Sequence, residues 1–149
     1  MSAVEERLRA LGLSLPVPKP PVANYLATKQ SGTLLFVSGR VSELRGEVGS
    51  DVTLGQAKLA ARDTALLLLA IVKQDLSDLD RIASVEQLRG FVRSAPSFTE
   101  QPQVIDGASD LLVALFGEQG RHARTATGVT QLPFGAAVQI DMVLLLQAP

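Results

Sequence analysis

The sequence predicts an α+β sandwich, in which a mostly antiparallel sheet carries two long helices on one of its faces. Two observations support this fold class. Residues 53–75 and 103–120 are long stretches typical of packed helices, whereas several shorter stretches are typical of strands and are bounded by turn residues. The elements occur in the order ββαβαββ, which brings strands together along the chain and favours antiparallel pairing.

The N-terminal part of the chain predicts a helix followed by a connector. Residues 2–11 form a short amphipathic helix, because Ser2 can cap it and Glu5 is its third helical residue. Four prolines within residues 16–21 then forbid a helix and favour an extended segment.

The remaining elements are predicted from periodicity and from turn residues. In chain order they are two strands within 25–41 around a turn at Ser31-Gly32, a helix from Asp51 or Thr53 to about Asp75, a strand over 82–93, a helix over 103–120 that ends near Gly117 or Gly120, and a hairpin over 121–146 that turns at 132–136.

Composition excludes several kinds of site. The chain has no cysteine and one histidine, which rules out disulfides, thiolate metal sites, a thiol nucleophile and a histidine metal cluster. The net charge of −1 provides no broad field for nucleic acid or for an anionic membrane. The longest apolar run, residues 65–72, is too short to span a bilayer.

The 149 residues are the usual size of one domain. We expect a single domain, with residues 1–22 as an N-terminal helix and proline-rich extension and residues 23–147 as the core. The absence of cysteine fits a reducing compartment, and a cytoplasmic location is expected.

Arg124 is the most informative single residue in the predicted hairpin. Its neighbours on the same strand face include Ala126 and Gly128, which are small and would leave space beside the guanidinium. A guanidinium in such a space binds a carboxylate through two parallel hydrogen bonds. The alternative is that Arg124 extends to solvent or pairs with a structural acid such as Asp141.

The last strand indicates how the sheet is buried. Every second residue of 138–146 is apolar, so that row should lie under the helices. The opposite face carries Val143 and Leu145, with Leu34 and Phe36 from an earlier strand. Because this face is too apolar to remain in water, another subunit is expected to cover it, which gives a homo-oligomer.

Four segments resemble the Rid family, the reactive intermediate deaminases, also called the YjgF-type or endoribonuclease L-PSP family. The similarity extends in order and spacing from about residue 20 to 147, and it is greatest to a less characterised subgroup. The segments are "ANY" at 23–25, "FVSGRV" at 36–41 with Ser38 thirteen residues after Tyr25, "HART" at 122–125 and "LPFGAAVQIDMVLLL" at 132–146.

The resemblance implies a chorismate-mutase-like fold and a homotrimer with clefts between subunits. It implies hydrolysis of enamines and imines to 2-keto acids and ammonia without metal or cofactor, as by a 2-iminobutanoate/2-iminopropanoate deaminase-type hydrolase. Arg124 would hold the substrate carboxylate, and the backbone at Ala126 would face the substrate nitrogen. Tyr25, Ser38 and Gly39 match positions of the cleft.

The main departure from the family pattern is Gln139, which occupies the position of a glutamate thought to position the attacking water. Glutamine can hydrogen-bond a water but cannot take its proton. Asp141 shares its face and could substitute. His122 and Arg40 replace the usual proline and glutamine and, if they face the cleft, suggest a more anionic ligand.

The predicted hairpin separates two of these residues. It would set Arg124 opposite residue 143, which is about 13 Å along the strand from Gln139. The two could then meet only diagonally, through a bend, or across a boundary between subunits.

Three functions are consistent with these residues. The first is an enamine/imine deaminase with Arg124 as carboxylate anchor, and the second is a non-catalytic trimer that binds a small carboxylate metabolite, which Gln139 favours. The third is an endoribonuclease, for which the sequence offers no basic stripe and no aromatic platform. Neither nucleic acid nor membrane is expected as a partner.

Overall fold

The computed structural model describes residues 2–21 and 23–149. The helices and strands, in chain order, are α1 (Ala3–Ala10), β1 (Thr28–Ser31), β2 (Leu34–Val41), α2 (Leu54–Leu76), β3 (Ile82–Arg93), α3 (Gln101–Phe116), β4 (Ala123–Val129) and β5 (Val138–Leu146). This confirms the predicted α+β class and the ββαβαββ order after α1. Met1 and Val22, the two ends of the predicted extension 1–22, lie outside the described residues.

The predicted N-terminal helix is present and is fixed at both its cap and its side. The Ser2 hydroxyl accepts a hydrogen bond from the Glu5 amide at 3.1 Å, and the Glu5 carboxylate accepts one from the Ser2 amide at 3.2 Å. Glu5 also pairs with Lys73 of α2, and this ammonium lowers the pKa of the Glu5 carboxyl. Val4 and Leu8 are buried, so α1 joins the helical layer.

The five strands form one sheet in the order β1-β2-β5-β3-β4. All neighbours are antiparallel except β3 and β4, which run parallel. The predicted hairpin over 121–146 is therefore wrong, because β5 lies between β2 and β3 and does not pair with β4.

The difference in burial between the two last strands explains this topology. Alternate residues of β5 are fully buried along its whole length, whereas no residue of β4 is. A strand with such an apolar row is stabilised by a central position, and the more exposed β4 tolerates the edge. The segment between β4 and β5 carries the chain across β3. Within it, Phe134 and Gly135 have positive φ angles of 61° and 72°.

The two long helices cover one face of the sheet, and a glycine sets their spacing. A Cβ on Gly107 of α3 would lie 2.0 Å from the carbonyl oxygen of Lys58 in α2. Only a residue without a side chain allows this approach, which fixes α3 against α2. On the sheet side, Gly90 of β3 leaves room for Ile105 of α3, whose Cδ1 would otherwise be 2.4 Å from a Cβ.

The other face of the sheet is uncovered in the isolated chain and carries the predicted apolar residues. Leu34 lies opposite Leu145 in the β2–β5 ladder, and Phe36 lies opposite Val143. Phe36 is 43% exposed and Leu34 is 37% exposed. In the part of the chain that the structure describes, no helix is long and apolar enough to cross a bilayer.

Candidate functional site

A cavity of about 570 Å³ opens on the uncovered face of the sheet. It contains four of the residues predicted for the site, Tyr25, Ser38, Gly39 and Gln139. The other lining residues are Lys29, Phe36, Val37, Gln87, Arg89, Asp141, Met142 and Val143.

A β-bulge shapes the floor of this cavity. The β2–β5 register changes between Val37 and Arg40, which places Ser38 and Gly39 outside the regular ladder. The Ser38 hydroxyl donates to the Leu26 carbonyl at 2.6 Å, which ties the bulge to the segment before β1. A Cβ on Gly39 would lie 3.3 Å from the Gln139 amide nitrogen. The bulge therefore sets bare backbone directly beside the Gln139 side chain.

Asp141 is bound in a bidentate ion pair with Arg89. The guanidinium donates from Nε and from Nη2 to the two carboxylate oxygens, both at 2.9 Å. Asp141 is the main cause of a raised pKa for Arg89, and the Arg89 guanidinium lies 5.8 Å from the centroid of the Phe91 ring. Asp141 therefore does not pair with Arg124, and the residue named as an example of a structural acid for Arg124 is wrong. Arg89 was not among the predicted site residues, although alternation along β3 could have placed it on this face.

Arg124 lies on the opposite side of the sheet from the cavity. It pairs in register with Leu88 of β3, which pairs with Met142 of β5, and both of these side chains are buried under the helices. The Arg124 guanidinium is held by α3, with Nη1 at 2.7 Å from a carboxylate oxygen of Asp106. A structural acid is thus present, as the alternative predicted, but it is Asp106.

Within a single copy of the chain, Arg124 and Gln139 lie far apart. Gln139 pairs with Phe91, which pairs with Thr127, three residues along β4 from Arg124. This corresponds to about 10 Å along the strand and about 10 Å across two strand spacings, with the side chains on opposite faces. Ala126 lies on the same side of β4 as Arg124, so these two predicted residues form a group of their own at the sheet edge.

The two residues proposed to enrich the site in cationic charge lie outside the cavity lining. The Arg40 guanidinium donates to the Lys19 carbonyl, and it thereby holds the proline-rich segment against β2. His122 is hydrogen-bonded to Ser109 of α3 and to the Gly120 carbonyl. Among residues 2–21 and 23–149, no cluster of three potential metal ligands occurs.

Comparisons with known proteins agree with this architecture. Residues 5–145 match the family model described as "YjgF/chorismate_mutase-like, putative endoribonuclease". The chain is 44% identical to protein TCP17 of Trypanosoma cruzi over 150 aligned positions, which cover 96% of this chain and 94% of that protein.

Two crystal structures of similar chains have nearly the same fold. Protein Atu1372 of Agrobacterium tumefaciens, described as having unknown function, is 44% identical with a TM-score of 0.91, covering 97% of this chain and 93% of its own. A "putative endoribonuclease" of Shewanella oneidensis is 32% identical with a TM-score of 0.93, covering 96% and 99%.

The matched region includes all of the sheet except Leu146, both long helices and every residue predicted for the site. The fold, the segment-by-segment resemblance and these matches lead to one conclusion: the chain belongs to the YjgF/L-PSP family, the Rid-type proteins with a chorismate-mutase-like fold.

Proposed function

We propose that this protein is an imino-acid hydrolase whose sites form between copies of the chain. One copy would contribute the cavity with Tyr25, Ser38, Gly39 and Gln139, and a neighbouring copy would contribute Arg124 and the backbone of Ala126. The observation that carries the proposal is the separation of these predicted residues into two groups on opposite faces of one sheet.

Both groups lie where a second copy could reach them. The cavity adjoins the uncovered apolar patch formed by Leu34 and Phe36. The group at Arg124 lies on the outermost strand of the sheet, β4. An assembly that buries the apolar patch and brings the β4 edge to the cavity would satisfy both surfaces, and the homotrimer implied by the family is our proposed arrangement.

The chemistry requires orientation more than strong acid–base groups. An imine carbon is electrophilic, so a bound water can add to it, giving a carbinolamine that expels ammonia and leaves a 2-keto acid. Arg124 would bind the carboxylate, the carbonyl of Ala126 would accept a hydrogen bond from the nitrogen, and the Gln139 amide would hold the water. No metal or cofactor is required.

One observation favours the second candidate, a trimer that binds a small carboxylate metabolite without turnover. Asp141 is the only carboxylate among the residues that line the described cavity, and both of its oxygens accept hydrogen bonds from Arg89. The cavity therefore offers no free carboxylate as a base, and Gln139 cannot replace one.

The proposed function is tested by the ability of the protein to remove imino acids. An amino-acid oxidase would generate the imine, semicarbazide would trap it, and the rate of semicarbazone formation would be recorded with and without the protein. We expect wild type to suppress the trapping. Unsuppressed trapping by wild type together with saturable pyruvate binding would favour the binding protein, and cleavage of RNA by pure protein that depends on Arg124 would favour the endoribonuclease.

Gln139→Glu is expected to increase the hydrolysis rate by about tenfold or more, because a general base is introduced beside the proposed water. The measurement is kcat/KM for the imine from its competition with semicarbazide. Gln87→Glu, which adds a carboxylate elsewhere in the same cavity, serves as the control and should leave the rate nearly unchanged. An equal increase in both variants would show that added negative charge, and not the position of Gln139, matters.

Phe36→Asp is expected to convert the assembly to monomers and to abolish hydrolysis, because it places a charge in the apolar patch that would be covered. Light scattering after size-exclusion chromatography gives the molar mass. Leu59→Asp is the matched control, since Leu59 is 54% exposed on α2, on the other side of the molecule. A trimer that survives Phe36→Asp would contradict the proposed interface.

A further inference from the structure

A chain of hydrogen bonds connects Arg124 to three residues that the proposed chemistry does not use. Nη1 of Arg124 donates to Asp106 at 2.7 Å and to the hydroxyl of Ser109 at 3.2 Å. The Ser109 hydroxyl lies 2.9 Å from Nε2 of His122, and Nδ1 of His122 lies 2.6 Å from the Gly120 carbonyl. Asp106 and Ser109 are one helical turn apart on α3, and His122 and Arg124 are two residues apart along the chain at β4, so each pair shares a face.

The partners assign the direction of the bonds at the two ends of this chain. A carbonyl can only accept, so Nδ1 of His122 donates to the Gly120 carbonyl, and a guanidinium can only donate, so Arg124 donates to the Ser109 oxygen. The hydrogen bond between the Ser109 hydroxyl and Nε2 of His122 is a second contact of the same oxygen. Held by both contacts, the Ser109 oxygen is fixed at the position where it binds the guanidinium.

These contacts use one part of the guanidinium and leave another part available. Both hydrogens on Nη1 have acceptors, and one on Nη2 is directed to the Pro102 carbonyl at 3.3 Å. Of the five donors of a guanidinium, the Nε hydrogen and one Nη2 hydrogen remain without an acceptor among residues 2–21 and 23–149. Arg89 binds Asp141 through the same two nitrogens, which demonstrates that this edge accepts a carboxylate.

We infer that Asp106, Ser109 and His122 are positioning residues that hold Arg124 with its Nε–Nη2 edge presented to a carboxylate ligand. The identity of the ligand rests on the proposed function, whereas the network rests on the contacts alone. The Arg124 side chain is 23% exposed and Asp106 is 43% exposed. An ion pair this accessible to solvent contributes little to stability, so its main effect is on the geometry of the guanidinium.

The loss of ligand affinity expected without the network follows from side-chain entropy. An unrestrained arginine must be ordered when it binds, and its rotamer entropy corresponds to at most about 30-fold in affinity. Asp106→Asn and Ser109→Ala should each weaken pyruvate binding by about 3- to 30-fold, with the melting temperature nearly unchanged. Ser109→Thr retains the hydroxyl and should restore most of the affinity.

The deciding experiment observes the guanidinium itself. In ¹⁵N NMR spectra of the intact protein, with Arg124 assigned from the Arg124→Lys variant, we expect two resolved Nη signals in wild type because rotation about the Nε–Cζ bond is restrained. Asp106→Asn and Ser109→Ala should merge the two Nη signals. His122→Ala should bring the two signals closer together by a smaller amount. Asp110→Asn is the matched control, because Asp110 lies on α3 but faces Lys58.

The outcomes separate this inference from the proposed function. Merged Nη signals in wild type, or signals that stay resolved in both Asp106→Asn and Ser109→Ala, would overturn the network. Resolved signals in wild type that merge in these variants would support it. If the signals behave in this way and pyruvate does not bind to wild type, the network stands and the proposed carboxylate ligand is refuted.

Discussion

Arg124→Ala is expected to reduce kcat/KM for imino acids by about 10²- to 10³-fold while the protein remains folded. The lost interaction is a charge-assisted, bidentate hydrogen bond to the substrate carboxylate, and removal of such a partner costs about 2–5 kcal/mol. The fold should tolerate the change, because Arg124 lies on an edge strand and its ion pair with Asp106 is partly exposed. The measurements are the semicarbazone assay and the melting temperature.

Two further variants test the cause of that loss. Arg124→Lys keeps the charge but has no planar fork, so it should recover only a small part of the activity. Arg62→Ala removes a partly exposed arginine of α2 that contacts its neighbour Asp63, and it should leave the activity unchanged. Normal turnover by folded Arg124→Ala would contradict the assignment of Arg124 as the carboxylate anchor.

Gly107→Ala is expected to destabilise the protein by about 3 kcal/mol, the upper part of the usual range for overpacking. The new Cβ would lie 2.0 Å from the Lys58 carbonyl oxygen and 2.9 Å from its carbon. Both atoms belong to the backbone of α2, so relief requires a helix to move and not merely a side chain to turn. For a chain of this size the melting temperature should fall by roughly 6–12 °C.

Gly55→Ala is the matched control, since Gly55 also lies in a helix but a Cβ added there would have no neighbouring atom within 4 Å. It should be neutral or stabilising by up to about 1 kcal/mol, because alanine has the higher helix propensity. Urea unfolding of both variants gives the two free energies. Equal stabilities would mean that the contact between α2 and α3 can widen at no cost.

Sequence periodicity was sufficient to predict the helices and strands and to predict which face of each strand is buried. The strand predicted over 82–93 is observed at Ile82–Arg93, and Thr53 caps α2 with a reciprocal bond to Gln56, as its residue type favours. Each of these features depends on residues close together in the chain. Their prediction therefore required no knowledge of which elements meet.

The pairing of strands could not be predicted from sequence periodicity. Alternation determines which side of β5 is buried, but it does not determine whether the neighbour of β5 is β4 or β3. Asp141 was named as a possible structural acid for Arg124, and Asp106 was missed because contact between α3 and β4 is a tertiary property. The roles of Tyr25, Ser38, Gly39 and Ala126 stay predictions until variants at these positions are measured.

The central position of β5 also has a consequence for the order of events during folding. Strands β2 and β3 are both neighbours of β5, yet β2 ends at Val41 and β5 begins only at Val138. During synthesis their inner edges therefore remain unpaired until β5 has emerged. Pairings of such long sequence separation close slowly, so the half-built sheet exposes strand edges for a period in which chaperones can bind them and unassisted chains can aggregate.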